Sequence, residues 1–287
     1  MTVATAFDAQ AYKETTRQQW QDAAEAWHRW GPTLESWLGE ATEAMLEVAG
    51  VAEGHRVLDV AAGAGGQTLA AARRVGPSGL VLATDISSRI LELAAREARR
   101  RGLANVATQV ADGEELEVVP ASFDAAISRL GLIYFPDRNR ALRSIHAALR
   151  PGGGFGAIVY AAAERNGFFS RPVGIIRRLA GLPAPPPGAP GPFSLADPAL
   201  LEAELAAAGF EHVVVRALDA PLRMASSADC ARFERESFGA LHQMLAGLPP
   251  EARAAAWLEV GQSLAAYDGP DGFVGPCELL VAGGRRP

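Results

Sequence analysis

Two glycines and a carboxylate near residue 60 stand in a pattern that can bind a nucleotide-like ligand. Residues 57–60, which include Asp59, form an apolar run that predicts a buried parallel strand, and residues 69–74 predict a helix. Between them, Gly63 and Gly65 would let the main chain approach a ligand where a Cβ would collide. A strand, a Gly-rich turn and a helix bring backbone N–H groups and a helix N-terminus to such a ligand. A plain tight turn is the alternative that this segment alone leaves open.

A second carboxylate favours the ligand-binding interpretation. Residues 80–84 predict a strand that ends at Asp85, which comes 22 residues after Gly63. An acidic residue at that strand end is placed to accept hydrogen bonds from both hydroxyls of a ribose. The alternative is that Asp85 caps the helix that follows.

A third acidic position follows the next predicted strand, residues 105–110. Asp112 lies in the turn after that strand and could bind the amino edge of an adenine. An Asx-turn, in which the side chain bonds its own backbone, is the alternative role for such a residue.

These positions need a parallel sheet that brings the strand ends together. From residue 51 onwards strands and helices alternate, which is typical of a doubly wound parallel sheet. Further strands are predicted at residues 123–128, 155–160, 211–217 and 273–282, which makes seven in all. We therefore predict an α/β fold with residues 51–225 and 268–287 as its core. Residues 161–192, with six prolines between 183 and 192, predict a short helix followed by a loop over the sheet edge.

Two helical segments lie outside this core. Residues 1–50 predict an N-terminal helical lid, and residues 226–267 predict a helical insertion that caps the substrate before the last strand. Trp20, Trp27 and Trp30 share one helix face, a stripe that is typical of core packing. Because a helix before the first strand can cover the ligand cleft, Tyr12, Trp20 and Trp27 are also candidate lid residues.

The composition excludes several classes of partner. The formal net charge is −6 in 287 residues, so no basic footprint for nucleic acid is present. Cys230 and Cys277 lack the spacing of a zinc site or a disulfide framework, so we expect no metal and a cytoplasmic location. No apolar run approaches the ~18 residues of a membrane-spanning helix.

Five stretches together resemble the class I S-adenosylmethionine-dependent methyltransferases, closest to the ubiquinone/menaquinone C-methyltransferase-like group. The stretches are residues 57–65, 83–87, 111–114, 122–126 and 149–153. They follow the family's order and spacing, and five in register are far more specific than any one alone. Thr68 stands where the dinucleotide pattern has its third glycine, which argues against an NAD enzyme.

The resemblance implies S-adenosylmethionine as the cofactor, a Rossmann-like class I methyltransferase fold, and a set of cofactor residues. The implied cofactor residues are Asp59, Ala61, Gly63, Gly65, Gln67, Asp85, Ile86, Asp112, Gly113, Glu114, Arg129 and Leu130. Ala61, Gly63 and Gly65 would line the methionine and ribose portion, and Asp59 would support the loop or meet the ammonium group. Arg129 would sit, with Leu130, near the methionine end.

The resemblance also implies contacts with the nucleoside end of the cofactor. Asp85 would bind the ribose hydroxyls, and Ile86 would pack against the adenine. Asp112, beside Gly113 and Glu114, would take the adenine amino group. Gln67, at the start of the helix after the turn, is a further contact of the cofactor.

Methyl transfer is a direct displacement that depends mainly on positioning, so an acid-base residue is optional. The histidines considered for that role are His28, His146 and His242, of which His242 is the candidate catalytic or substrate-contacting residue. Apolar walls favour a small, largely hydrophobic or aromatic acceptor. The predicted substrate residues are Tyr12, Trp20, Trp27, Tyr134, Phe168 and Phe238.

Two other classes of function stay open on the sequence. One is a relative that binds the same cofactor but catalyses a cyclisation or a decarboxylation. The other is a non-catalytic binding module. A homodimer is a further possibility that the sequence allows without specifying.

Overall fold

A seven-stranded sheet forms the centre of the computed structural model, which describes residues 7–186 and 188–287. In chain order the strands are β1 (Arg56–Val60), β2 (Leu80–Asp85), β3 (Val106–Val110), β4 (Phe123–Arg129), β5 (Leu149–Tyr160), β6 (Glu211–Asp219), β7 (Leu222–Met224), β8 (Asp268–Gly269), β9 (Gly272–Gly275) and β10 (Glu278–Arg285). The order across the large sheet is β3-β2-β1-β4-β5-β10-β6.

Strands β1 to β5 run parallel, and β10 is antiparallel to both of its neighbours. The chain adds β2 and β3 on one side of β1 and β4 and β5 on the other. Connections therefore leave β1 and β4 toward opposite sides, and a crevice opens between them at the carboxyl ends of the strands. The predicted doubly wound, mostly parallel sheet is confirmed.

Ten helices surround the sheet in the described part of the chain. They are α1 (Ala9–Arg29), α2 (Gly31–Ala49), α3 (Gly66–Val75), α4 (Ser88–Arg100), α5 (Arg138–Ala148), α6 (Gly167–Leu179), α7 (Pro198–Ala207), α8 (Ser227–Ser237), α9 (Gly239–Leu245) and α10 (Pro250–Leu264). Several begin at a side chain that accepts a backbone N–H, as Asp137 does for α5 and Asp197 for α7.

The N-terminal segment and the insertion are helical, as predicted. Helices α1 and α2 account for the first, and α8, α9 and α10 for the second, with a break at Pro249. Residues 1–6 of the predicted lid lie outside the described residues. The division of the chain into lid, core and cap stays a prediction.

The last predicted strand, residues 273–282, is wrong as a single element. Phe273 belongs to β9, which pairs with β7 and β8 in a separate three-stranded sheet, and β10 begins only at Glu278. Pro276 lies at the break, where a residue without an N–H cannot continue a ladder. The strand predicted at 155–160 is longer than expected and starts at Leu149.

The segment from 161 to 192 is more regular than predicted. Helix α6 begins at Gly167, so Phe168 and Phe169 lie inside its first turn and are buried. The proline-rich residues that follow form turns and irregular structure, and Pro187 lies outside the described residues.

Glycines allow α2 to pack closely on the sheet. A Cβ placed on Gly156 of β5 would lie 2.5 Å from the carbonyl oxygen of Met45 and 3.1 Å from the Cβ of Ala49. Interiors of this density do not yield easily to an added methyl group. The distance between α2 and β5 is therefore set by the absence of a side chain on the strand.

We expect Gly156→Ala to destabilise the protein by about 1–3 kcal/mol because the methyl group would push α2 away from the sheet. Gly39→Ala, on α2 itself, is the matched control because a Cβ there meets no atom within 4 Å. It should stabilise the helix by about 0.5–1 kcal/mol. Urea unfolding measures both, and equal effects of the two substitutions would contradict the packing argument.

Candidate functional site

A cavity of 440 Å³ lies at the carboxyl ends of the central strands. It is lined by Ala61 after β1, Asp85 at the end of β2 and Asp112 after β3, and by Leu130 after β4 and Tyr160 at the end of β5. Residues that follow or end five different strands therefore meet in one space. This is the location that the strand order predicts for a ligand in an open α/β sheet.

The turn after β1 is held in a left-handed conformation at several positions. Ala61 has φ 58°, Gly63 has φ 56° and Gly65 has φ 88°. A Cβ on Gly65 would lie 2.8 Å from the Cβ of Ala94, whereas a Cβ on Gly63 meets no atom of the chain within 4 Å. The positive φ at position 63 thus favours glycine, and the missing side chain leaves open space in the cavity. A non-glycine residue at positive φ, as at Ala61, is the kind of strain that concentrates at functional sites.

The Asp85 carboxylate joins this turn to the end of β2. One oxygen accepts the N–H of Gly63 at 2.9 Å, and the other accepts the N–H of Ser87 at 2.9 Å. Burial raises the pKa of Asp85. The helix that follows is capped by the Ser87 hydroxyl, which accepts the N–H of Ile90, so the alternative of Asp85 as the cap of α4 is wrong.

Asp59 lies behind the turn and is fully buried. Its carboxylate accepts hydrogen bonds from the hydroxyl of Thr68 at 2.5 Å and the side-chain amide of Gln67 at 3.2 Å. Burial raises the pKa of Asp59 to about 7 despite these bonds. The Asp59 carboxylate thus accepts hydrogen bonds from the first turn of α3, and Gln67 of that turn also lines the cavity.

The acidic pair after β3 is bound to the N-terminal helix. The Lys13 ammonium group lies 2.6 Å from an oxygen of Asp112 and 2.5 Å from an oxygen of Glu114. The second oxygen of Asp112 accepts the N–H of Glu114 at 2.9 Å, so the Asx-type bond considered from the sequence also forms. Asp112, Gly113 and Lys13 line the cavity, and Glu114 lies buried behind them.

Arg129 brings a positive charge into the cavity near the start of α3. Its guanidinium group donates to the hydroxyl of Thr42 at 3.0 Å, and a Cβ on Gly66 would lie 2.7 Å from one of its nitrogens. Burial lowers the pKa of Arg129 to about 10, so the group stays charged at neutral pH. Among the described residues, no carboxylate lies within ion-pair distance of it. A guanidinium group beside a helix N-terminus is well suited to bind a ligand carboxylate.

Helix α1 covers the cavity with aromatic rings. The ring of Trp20 packs edge-on against Trp27 at 5.4 Å and against Tyr134 at 5.7 Å, and Trp27 packs against Phe238 at 5.8 Å. The indole N–H of Trp27 donates to the carbonyl of Ser237 at 2.8 Å. Trp20, Trp27, Tyr134 and Phe238 all line the cavity, so α1 and α8 meet above the sheet.

Other predicted residues lie elsewhere in the fold. Tyr12 packs against Phe7, and Phe168 is buried between Trp37 and Tyr160. His242 is exposed, where it contacts the carbonyl of Arg235 and the ring of Trp257. The structure thus brings neither ring nor His242 to the cavity wall.

The other two histidines lie in different environments. His146 packs edge-on against Phe210 at 5.1 Å, away from the cavity, and burial lowers its pKa. His28, considered as a base from the sequence, does line the cavity.

The cavity residues that the sequence analysis did not single out include Lys13 and Tyr160. Lys13 is the only lysine in the chain, and that rarity was the available signal. Tyr160 ends a strand that lies two places from β1, so its position at the same sheet edge as Asp85 could have been inferred from the strand order. The exposed side chains of Glu35 and Arg100 also line the cavity, so it opens to solvent beside α2 and α4.

Within residues 7–186 and 188–287, no cluster of three or more His, Cys, Asp and Glu side chains is arranged to hold a metal ion. None of the helices described for this chain is both long enough and apolar enough to cross a membrane. Cys230 and Cys277 are buried free thiols, and burial raises the pKa of Cys277 to about 12.

Comparisons with known proteins agree with this geometry. Residues 57–153 match a family model described as a methyltransferase domain. Over 109 residues the chain is 38% identical to the ubiquinone/menaquinone biosynthesis C-methyltransferase UbiE of Pasteurella multocida, which covers 38% of this chain and 41% of that protein. The chain thus spans less than half the length of the curated relatives that it matches first.

Two solved structures are similar over most of this chain. The [4+2]-cyclase SpnF aligns with a TM-score of 0.57 at 21% identity, covering 93% of this chain and 97% of that one. Phosphoethanolamine N-methyltransferase 2 of Haemonchus contortus, in complex with phosphomonomethylethanolamine and S-adenosylhomocysteine, has a TM-score of 0.56 at 20% identity. That alignment covers 91% of this chain and 57% of the other. At these identities the likeness shows a shared fold.

The family model matches the same residues that form the turn, the acidic strand ends and the parallel core of the sheet. The identification made from the sequence is therefore supported over this part of the chain: residues 57–153 match a methyltransferase domain and are similar in sequence to a ubiquinone/menaquinone C-methyltransferase.

Proposed function

We propose that this protein transfers a methyl group from S-adenosylmethionine to a small, largely hydrophobic or aromatic acceptor. The observation that carries the proposal is that two groups of side chains line one cavity. The polar group, which we call the polar half, includes Asp85, Asp112 and Arg129, and the aromatic group, which we call the aromatic half, includes Trp20 and Tyr134. A polar cofactor and an apolar acceptor can therefore be held side by side.

The polar half fits the cofactor on three observations. Each Asp85 oxygen accepts one backbone N–H and keeps a second lone pair, so ribose hydroxyls can still donate to the carboxylate. Asp112 lines the cavity and can accept from the adenine amino group, with Ile86 and Gly113 beside it. The charged Arg129 forms no direct ion pair with the described residues and would bind the carboxylate of the methionine portion.

The remaining implied residues would act on the shape of the turn. Ala61, Gly63 and Leu130 line the cavity directly, with Ala61 and Leu130 both at positive φ. Gly65 allows the close approach of α4, and Asp59 fixes α3 through Thr68. We assign Asp59 to support of the loop on this basis.

When bound, S-adenosylmethionine supplies a methyl group that is already activated by its sulfonium. The chain then has to hold the acceptor in line with that group and keep water out. Trp20, Trp27 and Phe238 close the cavity from above, and Lys13 ties α1 to the acidic pair. His28 is the histidine at the cavity wall and is the residue available to take a proton from an acceptor.

Non-methylating chemistry on the same cofactor has no separate support in this site. The similarity to a [4+2]-cyclase rests on 21% identity and is a similarity of fold. A non-catalytic module would not need aromatic cavity walls beside the cofactor residues. The homodimer, the cytoplasmic location and the absence of a nucleic-acid partner stay predictions.

We expect Asp85→Ala to weaken binding of S-adenosylhomocysteine by about tenfold or more, because the ribose hydroxyls lose their acceptor and the turn loses a tether. Asp271→Ala, in the exposed turn between β8 and β9, is the control and should leave affinity unchanged. Calorimetric titration measures both. Equal affinities for the two variants would remove the ribose assignment.

We expect Lys13→Gln to speed dissociation of S-adenosylhomocysteine by about tenfold, because α1 loses two charge-assisted contacts of roughly 1 kcal/mol each. Arg17→Gln breaks the exposed Arg17–Glu14 pair on the same helix and should change the rate little. Stopped-flow displacement followed by tryptophan fluorescence gives both rates. If S-adenosylhomocysteine dissociates from Lys13→Gln at the wild-type rate, Lys13 does not hold α1 over the cofactor.

The raised pKa of Asp59 predicts a loss of stability as the pH rises. The unfolded carboxyl has a pKa of about 3.9, whereas the folded one titrates near 7, so only the folded protein keeps this proton in between. Asp59→Asn has no such proton. The free energy of unfolding of Asp59→Asn minus that of wild type should therefore increase by roughly 2–3 kcal/mol between pH 5 and pH 8. Urea titrations of the ligand-free proteins at the two pH values measure this difference, which should be absent if Asp59 is ionised throughout.

A further inference from the structure

The guanidinium group of Arg129 is held by a residue of α2 that does not itself line the cavity. Nη1 of Arg129 donates to the hydroxyl of Thr42 at 3.0 Å, although the two residues are 87 positions apart in the sequence. Thr42 is 3% exposed, whereas Arg129 lines the cavity. Thr42 therefore lies behind Arg129 and can act on a bound ligand through that side chain.

The hydroxyl of Thr42 can only accept a hydrogen bond from Arg129. Its own hydrogen is donated to the carbonyl of Leu38 at 2.7 Å, one turn earlier in α2. A hydroxyl has one hydrogen and two lone pairs, so this bond leaves the lone pairs for the guanidinium group. The β-branched side chain has few rotamers in a helix, and the bond to Leu38 selects among them. The position of the acceptor oxygen is thus fixed by α2 itself.

The first residue of α3 limits the guanidinium group on another side. A Cβ on Gly66 would lie 2.7 Å from Nη2 of Arg129 and 3.7 Å from Nη1. Gly66 does not have a positive φ, so its missing side chain matters here for the space that it leaves. The guanidinium group therefore packs on the bare backbone of α3 while Thr42 holds it from α2.

This arrangement leaves N–H groups of Arg129 for a ligand. A guanidinium group has five N–H donors, and within residues 7–186 and 188–287 the bond to Thr42 is the one that it makes. Arginine binds a carboxylate best through two parallel N–H contacts, which require a defined plane of the guanidinium group. Ordering a long side chain on binding costs affinity. A residue that fixes Arg129 beforehand therefore adds to affinity without touching the ligand.

We propose that Thr42 is a positioning residue for the cofactor, because it holds Arg129 in the orientation that pairs with the methionine carboxylate of S-adenosylmethionine. The inference deepens the proposed function and rests on it, since the ligand is the cofactor of that reaction. It makes α2, which lies outside the residues matched by the family model, part of the cofactor site. The Thr42–Arg129 pair then selects ligands that carry the carboxylate.

The test uses the full chain and two probes, S-adenosylhomocysteine and its decarboxylated form, which keeps the amino group. Thr42→Val keeps the shape and loses the acceptor, so it should weaken binding of S-adenosylhomocysteine about fivefold or more. Binding of the decarboxylated probe should stay within about twofold of wild type. Thr42→Ser restores the hydroxyl and should bind both probes as wild type does. Thr33→Val makes the same exchange elsewhere on α2 and should change neither affinity.

Arg129→Met tests whether Thr42 acts through the arginine. This substitution removes the charge and should weaken S-adenosylhomocysteine at least as much as Thr42→Val does. Adding Thr42→Val to Arg129→Met should then cause no further loss, because no guanidinium group is left to position. A purely structural role of Thr42 predicts equal losses for the two probes and additive losses in the double variant. Thr42→Ala takes the place of Thr42→Val if circular dichroism shows that the valine variant does not fold.

Four calorimetric results would overturn the inference: an unchanged affinity of Thr42→Val for S-adenosylhomocysteine, equal losses of Thr42→Val for both probes, a loss in Thr42→Ser as large as in Thr42→Val, or additive losses in the double variant. Failure of the proposed function looks different, because wild type would then bind neither probe. If wild type binds both probes with equal affinity, the cofactor assignment stands and only the role of Arg129 and Thr42 fails.

Discussion

The hydrogen bond between the Gly63 N–H and the Asp85 carboxylate joins the two strand ends on which the site depends. It spans the turn after β1 and the end of β2, and the other Asp85 oxygen holds the start of the segment leading to α4. The positive φ of Ala61 and Gly63 can persist because this bond and the packing of Gly65 on α4 fix the turn from both sides. The cavity floor is thus rigid before any ligand arrives, which lowers the ordering cost of binding.

Helix α1, which covers the cavity, is held in place by side-chain contacts with distant segments. Helix α1 is attached by polar contacts near both ends, with Lys13 on the acidic pair and Trp27 on the carbonyl of Ser237. In the middle, Gln21 accepts from the hydroxyl of Ser87 at 2.9 Å and from the N–H of Arg89 at 3.0 Å. These contacts bind the helix to loops that line the cavity, so the proposed lid and the cavity floor share anchoring residues. Ala23, Ala24 and Ala26 of α1 are buried, so α1 is also part of the folded structure.

The aromatic cluster beside the cavity contains an unpaired carboxyl group. Trp27, Phe233 and Phe238 pack edge-to-face, an arrangement that stabilises beyond the area it buries. A carboxyl group inside such a cluster is expensive unless it is paired, and Glu234 is not. A hydrophobic residue at this position would avoid the cost of burying an unpaired acid.

The sequence by itself determined the sheet, the turn and the acidic strand ends. Residues 57–60 and Asp85 could be placed because strand periodicity and turn chemistry are local, and because parallel strands deliver their ends to one edge. The break at Pro276 was also readable from the missing N–H, although the single-strand prediction overlooked it. Only the tertiary structure decided which aromatic rings reach the cavity, since Phe168 and Phe238 look alike in sequence and differ in what packs over them. It also decided the contact between Lys13 and Asp112, because these two residues are 99 positions apart in the sequence. Local pattern encodes the scaffold, whereas burial and pairing of polar groups emerge when distant elements pack together.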